Sequence, residues 1–353
     1  MASILLDGVT VERDGVPVLS DLTLYVDDGE LLAVVGPSGS GKSTVLRTVA
    51  GFESPIRGDI LIGGEVVTGR DPSRRDLAMV FEEDSLVPFL SARRNVAFPL
   101  ELRRLRRGEI DRRVTAEART LALERFLDRL PHELAAGHRQ LVQAARSLVR
   151  RPAVFLLDEP LAHMDADDRR RVRTEIRLLQ QGYGVTTLYA TNDQEEAMAI
   201  ADRIAVIADG AIRQIGAPLR VYREPADTFV AGFVGSPPMS FLPGAVIGAT
   251  VRVADRILGP VGNVPEGAVT VGVRPHAWRR VRSGGIVGTV TAVENHGDHI
   301  VATVTIGTGV AAVRFDDQVG VGSEVRLGAA RVHLFDPSGR AIAHVDIDLG
   351  ASQ

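Results

Sequence analysis

Residues 36–44 read Gly36-Pro37-Ser38-Gly39-Ser40-Gly41-Lys42-Ser43-Thr44. This segment fits the pattern G-x-x-x-x-G-K-[ST] at every defined position, which is typical of a loop that binds phosphate groups. The apolar run 31–35 precedes the loop and reads as a buried strand, while residues 45–50 follow with the pattern of a helix that Gly51 ends. A strand, a glycine-rich loop and a helix in this order predict an α/β domain that binds a nucleotide at the loop.

The residue types in the loop match the chemistry of a bound triphosphate. Glycines let backbone N–H groups turn inward around phosphate oxygens, and the N-terminus of the following helix adds partial positive charge. Lys42 is expected to reach the β- and γ-phosphates, and the Ser43 hydroxyl is expected to coordinate Mg²⁺. Lys42 is also the only lysine of the chain. The sequence therefore predicts ATP and Mg²⁺ as ligands.

Two adjacent carboxylates follow a second apolar run. Residues 153–157 read Ala-Val-Phe-Leu-Leu, and Asp158-Glu159-Pro160 comes directly after them. Two carboxylates at the end of a buried strand are costly without a cation nearby. With Mg²⁺ present they divide into two roles, Asp158 toward the metal and Glu159 toward the water that attacks the nucleotide.

Length and composition exclude several classes of protein. The 353 residues suggest two domains, and 45% hydrophobic with 24% charged residues is a globular balance that excludes a disordered or fibrous chain. The net charge of −4 gives no basic field for nucleic acid. The absence of cysteine excludes a disulfide scaffold, a thiolate zinc site and a cysteine nucleophile. No signal peptide or apolar run of about 20 residues is visible, so we expect a soluble chain.

Further segments give the sequence a family resemblance. The chain resembles the ATPase subunits of ATP-binding cassette (ABC) transporters, in particular the carbohydrate-importer branch (maltose, trehalose and sn-glycerol-phosphate type). The resemblance covers nearly the whole length, and its landmarks are the loop 36–44, Met79-Val80-Phe81, 134–137, 156–160, Met164-Asp165-Ala166 and 193–198. Two later stretches, 229–239 and 271–275, are similar to the sugar-importer branch.

The resemblance implies a fold of two parts. Residues 1–235 are expected to form an α/β P-loop NTPase core, with an antiparallel β subdomain in 3–35 and a helical subdomain in about 91–150. Strand–helix alternation in 153–215 predicts a mostly parallel central sheet. Short strands with Gly and Pro punctuation from residue 236 onward predict a small all-β domain, OB-like and of the TOBE type, in 236–353. In the family this domain contributes dimer contacts and regulation.

Several positions depart from the family pattern. This chain has Glu82 where the family has glutamine and Asn192 where it has histidine. The family signature Leu-Ser-Gly-Gly-Gln corresponds here to Leu134 followed by Ala135, Ala136, Gly137 and His138. Near the N-terminus, Arg13 occupies the place of an aromatic residue that stacks on adenine.

Each departure has a chemical consequence for the reaction that the resemblance implies. The family signature reaches across a dimer to the γ-phosphate of the partner, and Ala135 lacks the hydroxyl for that contact. Ala136 adds a methyl group where backbone must approach phosphate closely. Asn192 donates a hydrogen bond but carries no proton or positive charge. Glu82 either binds Mg²⁺ or repels the phosphates and Glu159.

Two interpretations of function follow. In the first, the chain is an ATPase that couples ATP binding and hydrolysis to import of a sugar or sugar-like solute, with slow turnover because transition-state groups are altered. In the second, it is a nucleotide-gated, non-hydrolysing module that regulates a permease or serves as a heterodimer partner. If the guanidinium of Arg13 stacks on adenine, the chain keeps some of its affinity for ATP under either interpretation.

The resemblance also implies partners and location. We expect transmembrane permease subunits, a homodimer or a heterodimer with another ATPase subunit, and, indirectly, an extracytoplasmic solute-binding protein. Nucleic acid is not expected. The chain is placed at the cytoplasmic face of the membrane, held peripherally by the permease.

Overall fold

A computed structural model describes residues 2–83, 85–162 and 164–349. They form two compact units, Met1–Pro218 and Leu219–Gln353. The division lies before the sequence-based boundary at 235/236, because residues 219–235 pack with the second unit. The buried guanidinium of Arg274 donates hydrogen bonds to the carbonyl oxygens of Tyr222 and Ala231.

The first unit alternates strands and helices. Its strands are β1 (Ile4–Arg13), β2 (Val16–Val26), β3 (Leu31–Val35), β4 (Arg57–Ile62), β5 (Glu65–Val66), β6 (Leu77–Val80), β7 (Val154–Asp158), β8 (Thr186–Thr191), β9 (Arg203–Ala208) and β10 (Ala211–Gly216). Its helices are α1 (Lys42–Ala50), α2 (Ala92–Leu102), α3 (Arg107–Thr120), α4 (Ala136–Leu148), α5 (Ala166–Tyr183) and α6 (Gln194–Ile200).

The central sheet has the strand order β10-β9-β3-β8-β7-β6. The five strands from β9 to β6 are parallel, and β10 pairs antiparallel with β9 at the edge. Strands β3, β7 and β8 are buried at every position, which explains their continuous apolar or threonine-rich runs. The predicted parallel sheet is therefore confirmed.

An antiparallel sheet of order β2-β1-β4-β5 lies beside the central sheet. Alternate residues of β1, such as Ile4 and Leu6, share one hydrophobic core with Val45 and Leu46 of α1. The expected antiparallel segment 3–35 is thus correct for β1 and β2, but residues 31–35 belong to the parallel sheet. Helices α2, α3 and α4 account for the predicted helical segment, with short 3-10 turns between α3 and α4.

The second unit begins with two short helices, α7 (Pro218–Arg223, which starts at the division) and α8 (Thr228–Phe233), and continues only with strands and a 3-10 turn. The strands are β11 (Ser240–Ile247), β12 (Thr250–Val253), β13 (Arg256–Pro260), β14 (Gly267–Val273), β15 (Trp278–Arg280), β16 (Ile286–Asn295), β17 (Ile300–Ile306), β18 (Gly309–Phe315), β19 (Glu324–Ala329), β20 (Arg331–Phe335) and β21 (Ala341–Asp346). They form antiparallel sheets of order β13-β12-β11-β14-β20-β21 and β15-β19-β16-β17-β18. The all-β character expected for this part is confirmed.

Among the described residues, no helix is both long enough and apolar enough to cross a membrane.

Candidate functional site

The order of the central strands brings three separate chain segments to one edge of the sheet. Strand β8 lies between β3 and β7, and Val35 pairs with Thr191 while Asp158 pairs with Ala190. The glycine-rich loop follows β3, Glu159 follows β7 and Asn192 follows β8. Because parallel strands all end at the same edge, these segments surround one cleft, as is usual for ligand sites of α/β sheets.

The loop 36–44 has a backbone that only glycine permits at two positions. A Cβ atom on Gly36 would lie 2.2 Å from the carbonyl oxygen of Ile207. Gly41, the residue that caps α1, has a φ of 104°, in the left-handed region. The loop therefore turns tightly into α1 and leaves the first N–H groups of this helix directed at the cleft.

Lys42 is the first residue of α1, and its side chain is only 4% exposed. Its Nζ donates hydrogen bonds to the carbonyl oxygens of Gly36 and Pro37, at 3.1 and 3.0 Å. Burial lowers the pKa of this ammonium group, and the carboxylate of Glu159, with its oxygen 3.8 Å from Nζ, acts against that effect. The loop thus holds a charged donor at the position where the sequence predicts contact with phosphates.

Asn192 connects Lys42 with Glu159. The Lys42 ammonium donates to Asn192 Oδ1, and Asn192 Nδ2 donates to Glu159 Oε1 at 2.6 Å. A carboxamide can do both because it carries a donor and an acceptor. The structure therefore joins Lys42, the predicted phosphate contact, to Glu159, the predicted base, through Asn192 in one chain of hydrogen bonds.

Ser43 and Asp158 form a second polar pair at the cleft. The Ser43 hydroxyl donates to Asp158 Oδ1 at 2.8 Å. Asp158 is 2% exposed, and burial raises its pKa although the hydrogen bond from Ser43 opposes the rise. A hydroxyl and a buried carboxylate are hard oxygen ligands of the kind that Mg²⁺ prefers beside nucleotide phosphates. This pair fits the predicted metal, and Glu82 lines the same cleft.

Glu159 has an unusual backbone for a residue with a side chain. Its φ is 44°, in the left-handed region, and its N–H donates to the carbonyl oxygen of Ala190 at 2.9 Å. Such a conformation costs about 1–3 kcal/mol and is often found at functional positions. Burial raises the pKa of the Glu159 carboxyl, while the nearby Lys42 ammonium lowers it. The result is a carboxylate held at the cleft with increased basicity, as a general base requires.

The cleft has a volume of about 310 Å³ and also includes Arg13 and Arg47. Arg13 forms an ion pair with Glu53 at 2.7 Å, so its stacking on adenine stays a prediction. Arg47 was missed by the sequence interpretation. It lies four residues after Ser43 on α1, and this spacing places both side chains on one face of the helix. The spacing of four residues from Ser43 was thus the signal that could have identified Arg47 from the sequence.

The signature segment lies outside this cleft, since none of residues 134–138 lines it. Ala135 precedes α4 and makes no side-chain cap to it, whereas Ser91 and Asp193 cap α2 and α6 with side-chain oxygens. His138 packs against the ring of Phe126, with centroids 4.0 Å apart, and burial lowers the pKa of its imidazole. Within one chain, the structure does not bring this predicted site to the loop 36–44.

The residues next to Asn192 are held by a set of hydrogen bonds, here called the brace, which the sequence interpretation also missed. Arg169 of α5 donates to Asp193 Oδ2 and to the carbonyl oxygen of Met164, each at 3.1 Å. The hydroxyl of Thr191 donates to the buried carboxylate of Glu196 at 2.9 Å. These bonds hold the residues on both sides of Asn192. No local pattern marks Arg169, because its carboxylate partner Asp193 lies 24 residues away.

We expect Arg169→Gln to reduce ATP turnover about tenfold, because loss of the brace misplaces Asn192 relative to Glu159. Phosphate release and thermal melting should be measured on the same preparation. The control is Arg170→Gln, which removes an exposed ion pair with Asp167 on the same helix. Equal turnover of the two variants would contradict the role of the brace.

The chain is similar to known ATP-binding proteins of transporters. The ABC transporter family model matches residues 19–162. The sn-glycerol-3-phosphate import ATP-binding protein UgpC of Roseobacter denitrificans is 44% identical over 285 residues, covering 80% of each chain. The trehalose/maltose import ATP-binding protein MalK of Thermococcus litoralis is 41% identical over 372 residues, covering 97% of this chain and 100% of the relative.

A solved structure is also similar. A dimeric ATP-binding cassette in a post-hydrolysis state, bound to ADP and Pi, is 27% identical with a TM-score of 0.55, covering 61% of this chain and 98% of that chain. The family model spans the loop 36–44 and the Asp158-Glu159 pair, and the relatives cover most of the length of the chain. The chain therefore belongs to the ABC transporter family, as one of its ATP-binding subunits.

Proposed function

We propose that this chain is the energy-coupling subunit of an importer for a sugar or sugar-like solute. The observation that carries the proposal is the match over 97% of the chain to a trehalose/maltose import protein, which includes the all-β second unit. The expected partners are transmembrane permease subunits, a second ATPase subunit and, indirectly, an extracytoplasmic solute-binding protein. The working location is then the cytoplasmic face of the membrane.

The residues of the cleft have separate roles in this proposal. The loop N–H groups and Lys42 bind the phosphates of ATP, and this requires Lys42 to exchange its bond with Asn192 for phosphate oxygens. Ser43 and Asp158 would hold Mg²⁺, which neutralises charge on the phosphates. Glu159 accepts a proton from the attacking water. Glu82 adds a negative charge at the same cleft, which weakens phosphate binding unless the metal offsets it.

Turnover is expected to be slow because two groups that act in the transition state are altered. Ala135 offers no hydroxyl to a phosphate of a partner subunit, and Asn192 offers no positive charge. Loss of two charge-assisted hydrogen bonds costs about 3–6 kcal/mol. If this cost falls on the transition state, the rate decreases roughly 10² to 10⁴-fold. ATP binding is expected to suffer less because Lys42, Ser43 and Asp158 are all in place.

The second candidate is a nucleotide-gated module with little hydrolysis of its own. The contact that favours it is the bond from Asn192 Nδ2 to Glu159 Oε1, which engages one oxygen of the carboxylate that would activate the water. A subunit of this kind would close on ATP and rely on a partner for hydrolysis. In a heterodimer, its signature would face the nucleotide of the other subunit.

Phosphate release at saturating Mg-ATP tests both candidates, with ATP binding measured on the same preparation. We expect slow turnover that is still well above a Lys42→Ala blank, and about a tenfold increase in Asn192→His, because imidazole can carry a proton. Asn192→Ala is the matched control, since it frees Glu159 without adding an imidazole. High turnover that Asn192→His leaves unchanged would contradict impaired hydrolysis. Binding without turnover, partly restored by the histidine, would support the non-hydrolysing module.

The solute is tested by uptake into cells that lack the gene. Labelled trehalose, maltose and sn-glycerol 3-phosphate should be compared, with the native gene or the Lys42→Ala gene restored. We expect uptake of one of these solutes to depend on the native gene and to fail with the variant. Uptake of all three that is independent of the gene would contradict this choice of solutes.

A further inference from the structure

The second unit contains a cavity of about 630 Å³ that has no part in the ATP site. Trp278 and Arg279 of β15 line it, together with Arg314 and Phe315 at the end of β18. Its volume lies in the range of sites that bind small molecules. Strands β15 and β18 are the two outer strands in the order β15-β19-β16-β17-β18 of one antiparallel sheet.

Arginines outnumber carboxylates at this cavity, whose lining includes Arg279, Arg280 and Arg314 together with Asp316 and Asp317. Arg279 donates to the carbonyl oxygens of His276 and Trp278, and among the described residues no carboxylate pairs with it. Arg280 pairs with Asp317, and Arg314 lies 3.5 Å from an oxygen of Asp316.

The carboxylates of these two pairs are mostly solvent-exposed, at 62% and 88%. Exposed ion pairs of this kind are weak, so an anion can compete with the carboxylates. The three arginines therefore remain available as donors to a bound anion.

The guanidinium groups around this cavity also affect the pKa of His276. Burial lowers the pKa of this imidazole, and the guanidinium groups of Arg274, Arg279 and Arg314 lower it further. The ring is therefore neutral at physiological pH. An anion bound in the cavity would reverse part of this effect.

Two aromatic side chains, Trp278 and Phe315, form the aromatic wall of this cavity. Trp278 is 1% exposed, and its indole N–H has no hydrogen-bond partner in the described part of the chain. A buried donor without a partner is rare and costly. Phe315 adds an apolar surface, with the Arg280 guanidinium 4.8 Å from its ring centroid. The cavity thus combines donors for an anion with apolar walls for a carbon skeleton.

We propose that this cavity binds a small organic phosphate, with the phosphate on Arg279 and Arg314 and the carbon skeleton against Trp278 and Phe315. Guanidinium groups present paired N–H donors that match phosphate oxygens. The site would let a phosphorylated metabolite act on the subunit without competing for the ATP loop.

Calorimetric titration of the full chain with glucose 6-phosphate tests the proposal. Inorganic phosphate and glucose serve as separate probes at constant ionic strength. Trp278 is the only tryptophan, so its fluorescence reports on the cavity directly. We expect saturable binding of glucose 6-phosphate with a change in fluorescence, weaker binding of inorganic phosphate and no binding of glucose. Equal binding of the two phosphates would overturn the role of the aromatic wall.

Substitutions of the lining arginines test whether the organic phosphate binds in this cavity. Arg279→Gln and Arg314→Gln should each weaken binding by about tenfold to a hundredfold, as expected for a charged hydrogen bond. Arg256→Gln, an exposed arginine on β13, is the matched control and should leave affinity unchanged. Lys42→Ala should also retain the response, which separates this cavity from the ATP loop. No binding, or binding that is lost in Lys42→Ala or insensitive to Arg279 and Arg314, would overturn the proposal.

Discussion

Replacing Glu159 with glutamine is expected to reduce ATP turnover to the level of the Lys42→Ala blank, while ATP binding is retained. A positioned general base contributes roughly 10² to 10⁴-fold to a rate, and the glutamine carboxamide cannot accept a proton in this way. The substitution preserves shape, and the glutamine oxygen can still accept the bond from Asn192. The loss is therefore expected in turnover rather than in nucleotide affinity.

The pH dependence of turnover identifies the group that is lost. A base acts in its ionised form, so the rate should rise with pH through the pKa of Glu159, which burial places above its ordinary value. Measurement of phosphate release between about pH 4 and 8 should show this rise in the native chain and not in Glu159→Gln. Glu195→Gln, which changes an exposed carboxylate on α6, is the control. Unchanged turnover in Glu159→Gln would show that another group activates the water.

Restoring the signature should have the opposite effect. We expect Ala135→Ser combined with Ala136→Gly to raise turnover roughly tenfold to a hundredfold, because the hydroxyl restores one charge-assisted hydrogen bond to a phosphate of a partner subunit. Glycine at position 136 also removes a methyl group at a point of close backbone approach. Phosphate release should be measured across protein concentrations, since the contact exists only in a dimer.

The serine also caps α4, so stability must be separated from catalysis. A serine cap adds about 1 kcal/mol, and Ala135 has the extended backbone that a cap requires, with φ −62° and ψ 156°. Arg106 precedes α3 with similar angles and likewise provides no side-chain cap, so Arg106→Ser is a matched control. Arg106→Ser should raise the melting temperature, and in the signature variant glycine at the first position of α4 offsets much of the gain from the serine cap. Only the signature variant should raise turnover. A gain in stability alone would contradict the cross-dimer role of residue 135.

Much of the site was predictable because several of its residues lie in short, contiguous sequence motifs. The loop 36–44 and the Asp158-Glu159 pair each follow an apolar run, and the structure places both at the ends of buried parallel strands. Ser43 and Asp158 were assigned to one metal from their residue types alone, and their side chains lie in hydrogen-bond contact. The two-part organisation was also visible, but its boundary was not, because contacts between distant residues, such as those of Arg274 with Tyr222 and Ala231, assign residues 219–235 to the second unit.

Other features depended on contacts between distant residues. The bond from Asn192 to Glu159 joins positions 33 residues apart, and the brace from Arg169 to Asp193 joins positions 24 apart. The cavity at Trp278 is lined by residues of β15 and β18, although 28 residues separate Arg280 from Gly309 in the numbering. No periodicity or motif marks these pairs.

The local pattern of residues was enough to determine the loop, its strand and helix, and the acidic pair, because a phosphate-binding turn needs particular glycines within nine consecutive positions. The strand order decided which of these segments meet. It placed β8 between β3 and β7 and so brought Asn192 between Lys42 and Glu159. This order is a property of hydrogen bonding between strands far apart in the chain, and consecutive residues carry little information about it.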